Sequence, residues 1–256
     1  MTDRLARSRF EEVVEIDTAA GVLRGTIAVP ETARGCVIFA HGSGSGRQSP
    51  RNRFVASALH QAGLATLVID LLTAEEGRAS PATVENETNL IPLADRLSLA
   101  TDWLAADFEH HNFRVGYFGA NSGAAVALVT AARRPEIAAV VARGGRPDLT
   151  ADALGQVCAS TLLIVGGKDR PLIDVNRQAL DQLTLAQNKE LRIIPGAKHL
   201  FQEPGALDEV ARLASQWFAH YLNATSRQPG HPHFHVIRAT EKTERHHGAP
   251  KMERAD

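Results

Sequence analysis

The chain has 256 residues, a formal net charge of −1 and a pI near 6.8, a balance that gives no electrostatic case for binding nucleic acid or an anionic membrane surface. Hydrophobic residues make up 44% of it, enough for a sizeable core. The length suits one large α/β domain, since such folds often run to ~250 residues undivided.

The first residues, MTDRLARSRFEEVVEI, show no apolar run after their arginines, and no later run reaches ~18 apolar residues. A soluble, cytoplasmic protein without signal peptide or membrane span is expected. Residues 1–9 are expected to fray. Val13 to Ile16 and Val22 to Val29, with Gly21 between, read as an antiparallel strand pair. Cys36 to Ala40 is a continuous apolar run, the mark of a strand buried on both faces, and it ends in the glycine-rich loop His41 to Gly46. Pro50 opens a helix with Phe54, Val55, Ala58, Leu59 and Ala62 on one face, closed at Gly63. Ala65 to Ile69 is the next strand. Leu71 to Asn89 is polar and irregular, a long connection of the kind used as a lid or binding loop.

A second helix places Leu93, Leu97, Ala100, Leu104 and Phe108 at helical spacing. Val115 to Phe118 is a strand that runs through small residues into a helix ending near Arg134. Ile137 to Ala142, Thr161 to Val165 and Leu191 to Ile194 are strands, with a helix from about Leu172 before the last. The closing helix carries Leu207, Val210, Leu213, Trp217 and Tyr221 on one stripe. Strands alternating with helices at this rhythm predict a mostly parallel sheet with helices on both faces and an antiparallel N-terminal strand pair. Cys36 and Cys158 sit in or beside strands and read as buried free thiols, not a disulfide. The domain is placed at residues 10–223. Residues 224–256 have no apolar face and read as a disordered, histidine-containing tail. Its HPHFH stretch (His231 to His235) has no packed second shell, so no metal site is assigned to it.

In open parallel sheets, ligands bind beyond the carboxyl ends of the strands. The loops there offer, in order, the glycine turn after Ala40, the stretch Gly119-Ala120-Asn121-Ser122-Gly123, then Asp169 and His199. Strand, tight turn and helix around Gly119 to Gly123 make the frame of a nucleophile elbow, G-x-S-x-G, and nucleophile, acid, histidine is the chain order of α/β-hydrolases. The backbone N–H of Ser122 points where an oxyanion would form, and the N–H of Ser43 is the second candidate donor. His199 is the candidate base, and Asp169 the residue that fixes its tautomer. The His41 to Gly46 loop lacks the lysine of a phosphate-binding loop. Arg143 and Arg146 either reach a substrate carboxylate or tie loops together. Asp70, Glu75 and Glu76 are placed near the cleft, and Glu203 is read as a helix N-terminal charge.

HGSGSGRQSPRN, ATLVIDLLTAEE, VGYFGANSGAA, RGGRPDL, LLIVGGKD and PGAKHLFQEPGAL, taken together, resemble the bacterial α/β-hydrolases related to dienelactone hydrolase, which occur alone or fused to phosphoribosyltransferase domains. The resemblance covers about Phe10 to Leu222, and no phosphoribosyltransferase segment is seen in the sequence. It implies an α/β-hydrolase fold, a serine nucleophile, an acid at Asp169, a histidine at His199, and a small ester or lactone as substrate or ligand, with no cofactor or metal.

The chain departs from that pattern at the nucleophile. Family members typically read G-A-S-T-G, whereas this chain reads G-A-N-S-G and places Asn121 where the serine belongs. Three readings stay open. Ser122 is an alternative nucleophile if the elbow slips by one residue. The scaffold has lost acyl transfer and serves as a binding or interaction protein. Or Asn121 itself works, by orienting a water or by deamidating to aspartate.

Overall fold

The structure, a computed structural model, describes residues 8–41, 46–79, 90–108 and 113–223. Eight strands among them form one sheet: β1 (Ser8–Thr18), β2 (Gly21–Pro30), β3 (Gly35–Ala40), β4 (Ala65–Ile69), β5 (Arg114–Ala120), β6 (Ala139–Arg143), β7 (Ser160–Gly166) and β8 (Lys189–Ile194). Their order across the sheet is β1-β2-β4-β3-β5-β6-β7-β8. β1 pairs antiparallel with β2 and β2 antiparallel with β4, while every other neighbouring pair is parallel. The chain steps outward from β3 to β4, then crosses back to β5 on the other side of β3. The switch point therefore lies between the carboxyl ends of β3 and β5, the place where such sheets hold ligands.

Helices cover both faces: α1 (Pro50–Gln61), α2 (Ala74–Ala79), α3 (Leu90–Asp107), α4 (Ser122–Arg133), α5 (Arg170–Gln182) and α6 (Ala206–Leu222), with a 3-10 segment at Pro147–Gln156. Alternation along the strands divides the core in two. Ile38, Ala40, Tyr117, Val140 and Leu163 pack with the apolar faces of α3 and α4. Val37, Phe39, Phe118, Val141 and Ile164 pack with α1 and α6. Because β3 to β7 are covered on both sides, they read as unbroken apolar runs in the sequence. The outer strands are less protected. β1 alternates, with Val14 and Ile16 buried and Val13 60% exposed, and on the far edge Ile193 of β8 is also exposed.

α4 is the most enclosed helix, with every residue from Ser122 to Ala131 buried. Its composition explains that position. Ala, Gly and Val let it lie close to the sheet, to α3 and to the 3-10 segment, and a Cβ on Gly145 would already come within 2.7 Å of the Ala124 Cβ.

Several sequence expectations change in detail. The N-terminal strands are longer than the patterned stretches, and β1 starts at Ser8, inside the segment expected to fray. The stretch from Leu71, expected to be irregular, contains α2, and residues 80–89 of it lie outside the described residues. The 3-10 segment was not foreseen. α1 buries Asn52, Val55, Ala56 and Leu59, and Phe54 is exposed, so its inward stripe runs through a polar residue. On α6 the buried line is Ala206, Val210, Ala211, Ala214, Phe218 and Leu222, with Leu207, Leu213, Trp217 and Tyr221 only partly covered. Small residues there bring α6 close to the sheet, and the larger ones flank the contact. Cys36 is buried and Cys158 exposed, both as free thiols; Cys158 lies in the connection before β7, not in the strand. Among the described residues no helix is long and apolar enough to cross a membrane. The tail from residue 224 lies outside the described residues.

Candidate functional site

A single residue joins β5 to α4. Asn121 holds φ 54° and ψ −124°, one of two non-glycine residues with positive φ among the described residues. Its flanks show why the sequence turns so sharply here. A Cβ on Gly119 would lie 2.5 Å from the Ala124 Cα, and one on Gly123 would lie 2.3 Å from the Ala40 carbonyl oxygen. Only glycine lets the strand end, the helix start and β3 meet this closely. Backbone hydrogen bonds hold the apex. The Asn121 N–H donates to Arg143 O at 3.3 Å, and its carbonyl accepts from Ala124 N at 3.1 Å and Arg146 N at 3.3 Å. Asparagine tolerates positive φ better than most residues, so the turn keeps its form with a carboxamide at the apex. Ser122 is the first residue of α4 and is buried, and an N–H at that position has no acceptor inside the helix.

The loops after β7 and β8 close on each other. A Cβ on Gly166 would come within 2.6 Å of the carbonyl oxygens of Ala197 and Lys198, so β7 must end in glycine. Gly167 N donates to Ile194 O at 2.8 Å, and Lys168 N to Ala197 O at 2.9 Å. This stitching sets His199 against Asp169, with Nδ1 and Oδ2 3.0 Å apart. An ionised aspartate accepts only, so the Nδ1 of His199 donates the shared proton, and Nε2 is the nitrogen turned away from Asp169. The His199 side chain is 41% exposed and that of Asp169 18%, so the pair is reached from one side. Glu203, expected to serve as a helix N-terminal charge, instead accepts the Lys198 N–H at 3.1 Å and braces the histidine loop. That bond, helped by the charges of Lys198 and Lys168, holds its carboxyl below the usual range.

A cavity of about 480 Å³ opens on Asn121, Ser122, Asp169 and His199. Leu149 and Leu172 supply its apolar wall, and Arg146, Lys168 and Lys198 its cations. Arg146 is engaged by Asp148, with Nη2 2.6 Å from Oδ2. No ion pair holds Lys168 or Lys198 among the described residues, and the cavity's own carboxylate, Asp169, is turned to His199. Both lysines directly precede the paired residues, in GGKD and GAKH, which is the signal by which they were readable. A larger cavity, about 660 Å³, lies beyond His41 among the β1–β2 turn, Asp70 and α2, away from the His199–Asp169 pair.

The remaining candidates separate. Arg143 does not line the cavity. It is 5% exposed and lies inside the fold, its guanidinium 5.8 Å from the centre of the Phe201 ring and its Nε without a hydrogen-bond partner among the described residues. Burial, then the nearby charge of Arg51, pulls it down to about 10. His41, at the end of β3, is also buried, with the Asn52 amide nitrogen 3.0 Å from its Nε2. Burial, then Arg143, pulls its pKa down to about 4, so the ring is neutral at neutral pH. Nothing in the sequence links residues 41, 52 and 143, and this buried group was not foreseen. Asp70 pairs with Arg47 at 3.0 Å and, with Glu75, borders the larger cavity, while Glu76 pairs with Arg96. Ser43, the second candidate oxyanion donor, lies outside the described residues.

Comparison with known proteins finds relatives over most of the chain. The family model described as the dienelactone hydrolase family matches residues 23–224. A crystal structure of a dienelactone hydrolase from Anabaena variabilis is 54% identical, covers 83% of this chain and 98% of its own, and superposes with a TM-score of 0.77. A protein of Mycobacterium tuberculosis named as a phosphoribosyl transferase is 48% identical over 213 residues, which are 83% of this chain and 47% of that protein. The chain thus spans about half the length of the curated relatives it matches. An esterase from Pyrococcus furiosus, 18% identical over 83% of this chain and 91% of its own, has a TM-score of 0.68 and shares the fold.

Proposed function

Because the chain belongs to the dienelactone hydrolase family, we propose that its cavity binds a small ester or lactone and that Asn121 withholds the acyl-transfer step. The observation that carries this reading is the backbone of Asn121, whose positive φ makes it the apex of the elbow and leaves Ser122 in the helix behind it. A carboxamide is a poor nucleophile, and it has no proton that His199 can usefully remove. Acyl transfer depends so fully on its nucleophile that the rest of the site yields only a small residue of activity without it.

What is left still suits a ligand. The Ser122 N–H is a donor for a carbonyl oxygen. Leu149 and Leu172 offer an apolar wall, and Lys168 and Lys198 favour an acyl compound that also bears an anionic group. In the chemistry the scaffold would otherwise perform, the apex residue attacks the carbonyl carbon. His199 Nε2 takes the proton and returns it to the leaving oxygen, while Asp169 holds the ring and balances the imidazolium.

The test is labelling with a fluorophosphonate, read by intact mass and peptide mapping, on the native chain and on Asn121→Ser. The native chain is expected to stay unlabelled, and Asn121→Ser to be labelled at residue 121. Labelling of the native chain at Ser122 overturns the reading, because the elbow then delivers the serine. Silence of both chains overturns the assignment of the site.

A further inference from the structure

The geometry points to Asn121 as a modification site, at which the elbow itself converts the carboxamide to a carboxylate through a cyclic imide formed with the Ser122 nitrogen. The imide is a five-membered ring of Cα, Cβ, Cγ, the Ser122 nitrogen and the main-chain carbonyl carbon. Closing it requires the Cα–Cβ bond to eclipse the bond from that carbonyl carbon to nitrogen. A tetrahedral Cα sets Cβ about 120° from the backbone nitrogen. At the observed ψ of −124°, Cβ therefore nearly eclipses the Ser122 nitrogen. Helical residues, at ψ of about −42°, and strand residues, at about +115° to +135°, hold the two far apart. Asn52 in α1 and Asn176 in α5 are helical and lack this alignment. The backbone hydrogen bonds that hold the apex also hold the ring-closing torsion, so its conformational cost is met by folding.

Two independent observations favour the same step. The Asn121 Oδ1 is buried and has no hydrogen-bond partner among the described residues, so no bond to it there anchors the carboxamide away from the attacking nitrogen. The Ser122 N–H, at the first position of α4, is not tied up in the helix. In the reaction, the Ser122 nitrogen bonds to Cγ and the Cγ–Nδ2 bond breaks. The Ser122 amide proton leaves with the side-chain nitrogen as ammonia. Water then adds at Cγ, the bond from Cγ to the Ser122 nitrogen breaks, and that nitrogen regains a proton, leaving aspartate at 121. Addition at the main-chain carbon would give isoaspartate and route the backbone through Cβ. That link would displace the carbonyl bonded by Ala124 N and Arg146 N, so the aspartyl product is expected from the folded chain. The product carboxylate joins a cavity lined by Lys168 and Lys198, which form no ion pair among the described residues, with Glu203 as a nearby counter-charge to both. Conversion removes one unit of the cavity's net positive charge, so the carboxylate form favours an anionic ligand less than the amide form does.

The experiment is peptide mapping of the full chain, incubated folded and in urea at the same pH and temperature. Conversion at 121 adds about 1 Da, and chromatography separates aspartyl from isoaspartyl peptides. The folded chain is expected to convert at 121 at least about tenfold faster than the unfolded chain, with Asn52 and Asn176 unchanged and mainly aspartate formed. Equal rates in the two states, no conversion in the folded chain, or mainly isoaspartate from it each overturn the proposal. Fluorophosphonate is silent toward asparagine and aspartate alike, so this outcome is independent of the labelling test above.

Discussion

Gly123 and Gly77 show how differently one residue type acts in this chain. A Cβ on Gly123 would meet the Ala40 carbonyl oxygen at 2.3 Å, a backbone atom in the centre of the sheet, whereas one on Gly77 in α2 would meet nothing within 4 Å. Gly123→Ala is expected to destabilise the fold by about 2–3 kcal/mol. Gly77→Ala is expected to be neutral or to stabilise by about 0.5–1 kcal/mol through helix propensity and a less flexible unfolded chain. Urea unfolding midpoints compare the two, and a mild Gly123→Ala would refute the close approach at the elbow. At this scale the sequence was legible where chemistry and position coincide. Asn121, Asp169 and His199 stood out because each follows a strand in the right order. The buried His41–Asn52–Arg143 group was not legible, since three residues on different elements share no spacing, and only the fold puts them together.

At the scale of elements, helices with a 3.6-residue stripe and strands with unbroken apolar runs were readable, and irregular helices were not. The 3-10 segment Pro147–Gln156 has three residues per turn and so shows no α-helical period. α2 is too short for a stripe; Thr73 and Glu76 cap it reciprocally, and Arg96 ties it to α3. Glu76 accepts two bonds of 2.7 Å from the Arg96 guanidinium, and the same guanidinium donates to Leu71 O at 2.8 Å, tying α2 and the end of β4 to α3. The Arg96 hydrogen bond, more than any other cause, pulls the Glu76 carboxyl down to about 2 from an ordinary 4.5. A depressed folded pKa means stability that is complete above the unfolded value. Its contribution is therefore present above pH 4.5 and is lost as pH falls toward 2. Glu76 is 40% exposed, so solvent screening limits the effect. Glu76→Gln is expected to cost about 1–2 kcal/mol at pH 7 and to flatten the stability curve below pH 4.5. Parallel curves for the two chains in that acid range would refute the clamp.

For the whole molecule, acid stability has an earlier onset than its carboxylates alone would give. The folded state holds His41 neutral, with a pKa of about 4 against an ordinary 6.5. The unfolded chain binds a proton there first, so stability is complete above pH 6.5 and falls as pH drops toward 4, by roughly 3 kcal/mol. Denaturant unfolding across pH 4 to 6.5 is expected to show this slope in the native chain and lose most of it in His41→Gln. An unchanged slope would refute the buried neutral ring. The two outer strands carry a different consequence. Among the described residues nothing pairs with the outer edge of β1, eleven residues long, a length at which a bare edge is a template for another chain. It bears Glu11, Glu12, Glu15 and Asp17, and among the described residues only Glu15 has an ion pair, with Arg24 of β2 at 3.0 Å. A second copy arriving side by side would bring the same carboxylates against these. At the opposite end β8 presents Lys189, Glu190 and Arg192. Among the described residues the sheet is thus bordered by charge at both ends, which opposes its growth into a fibre.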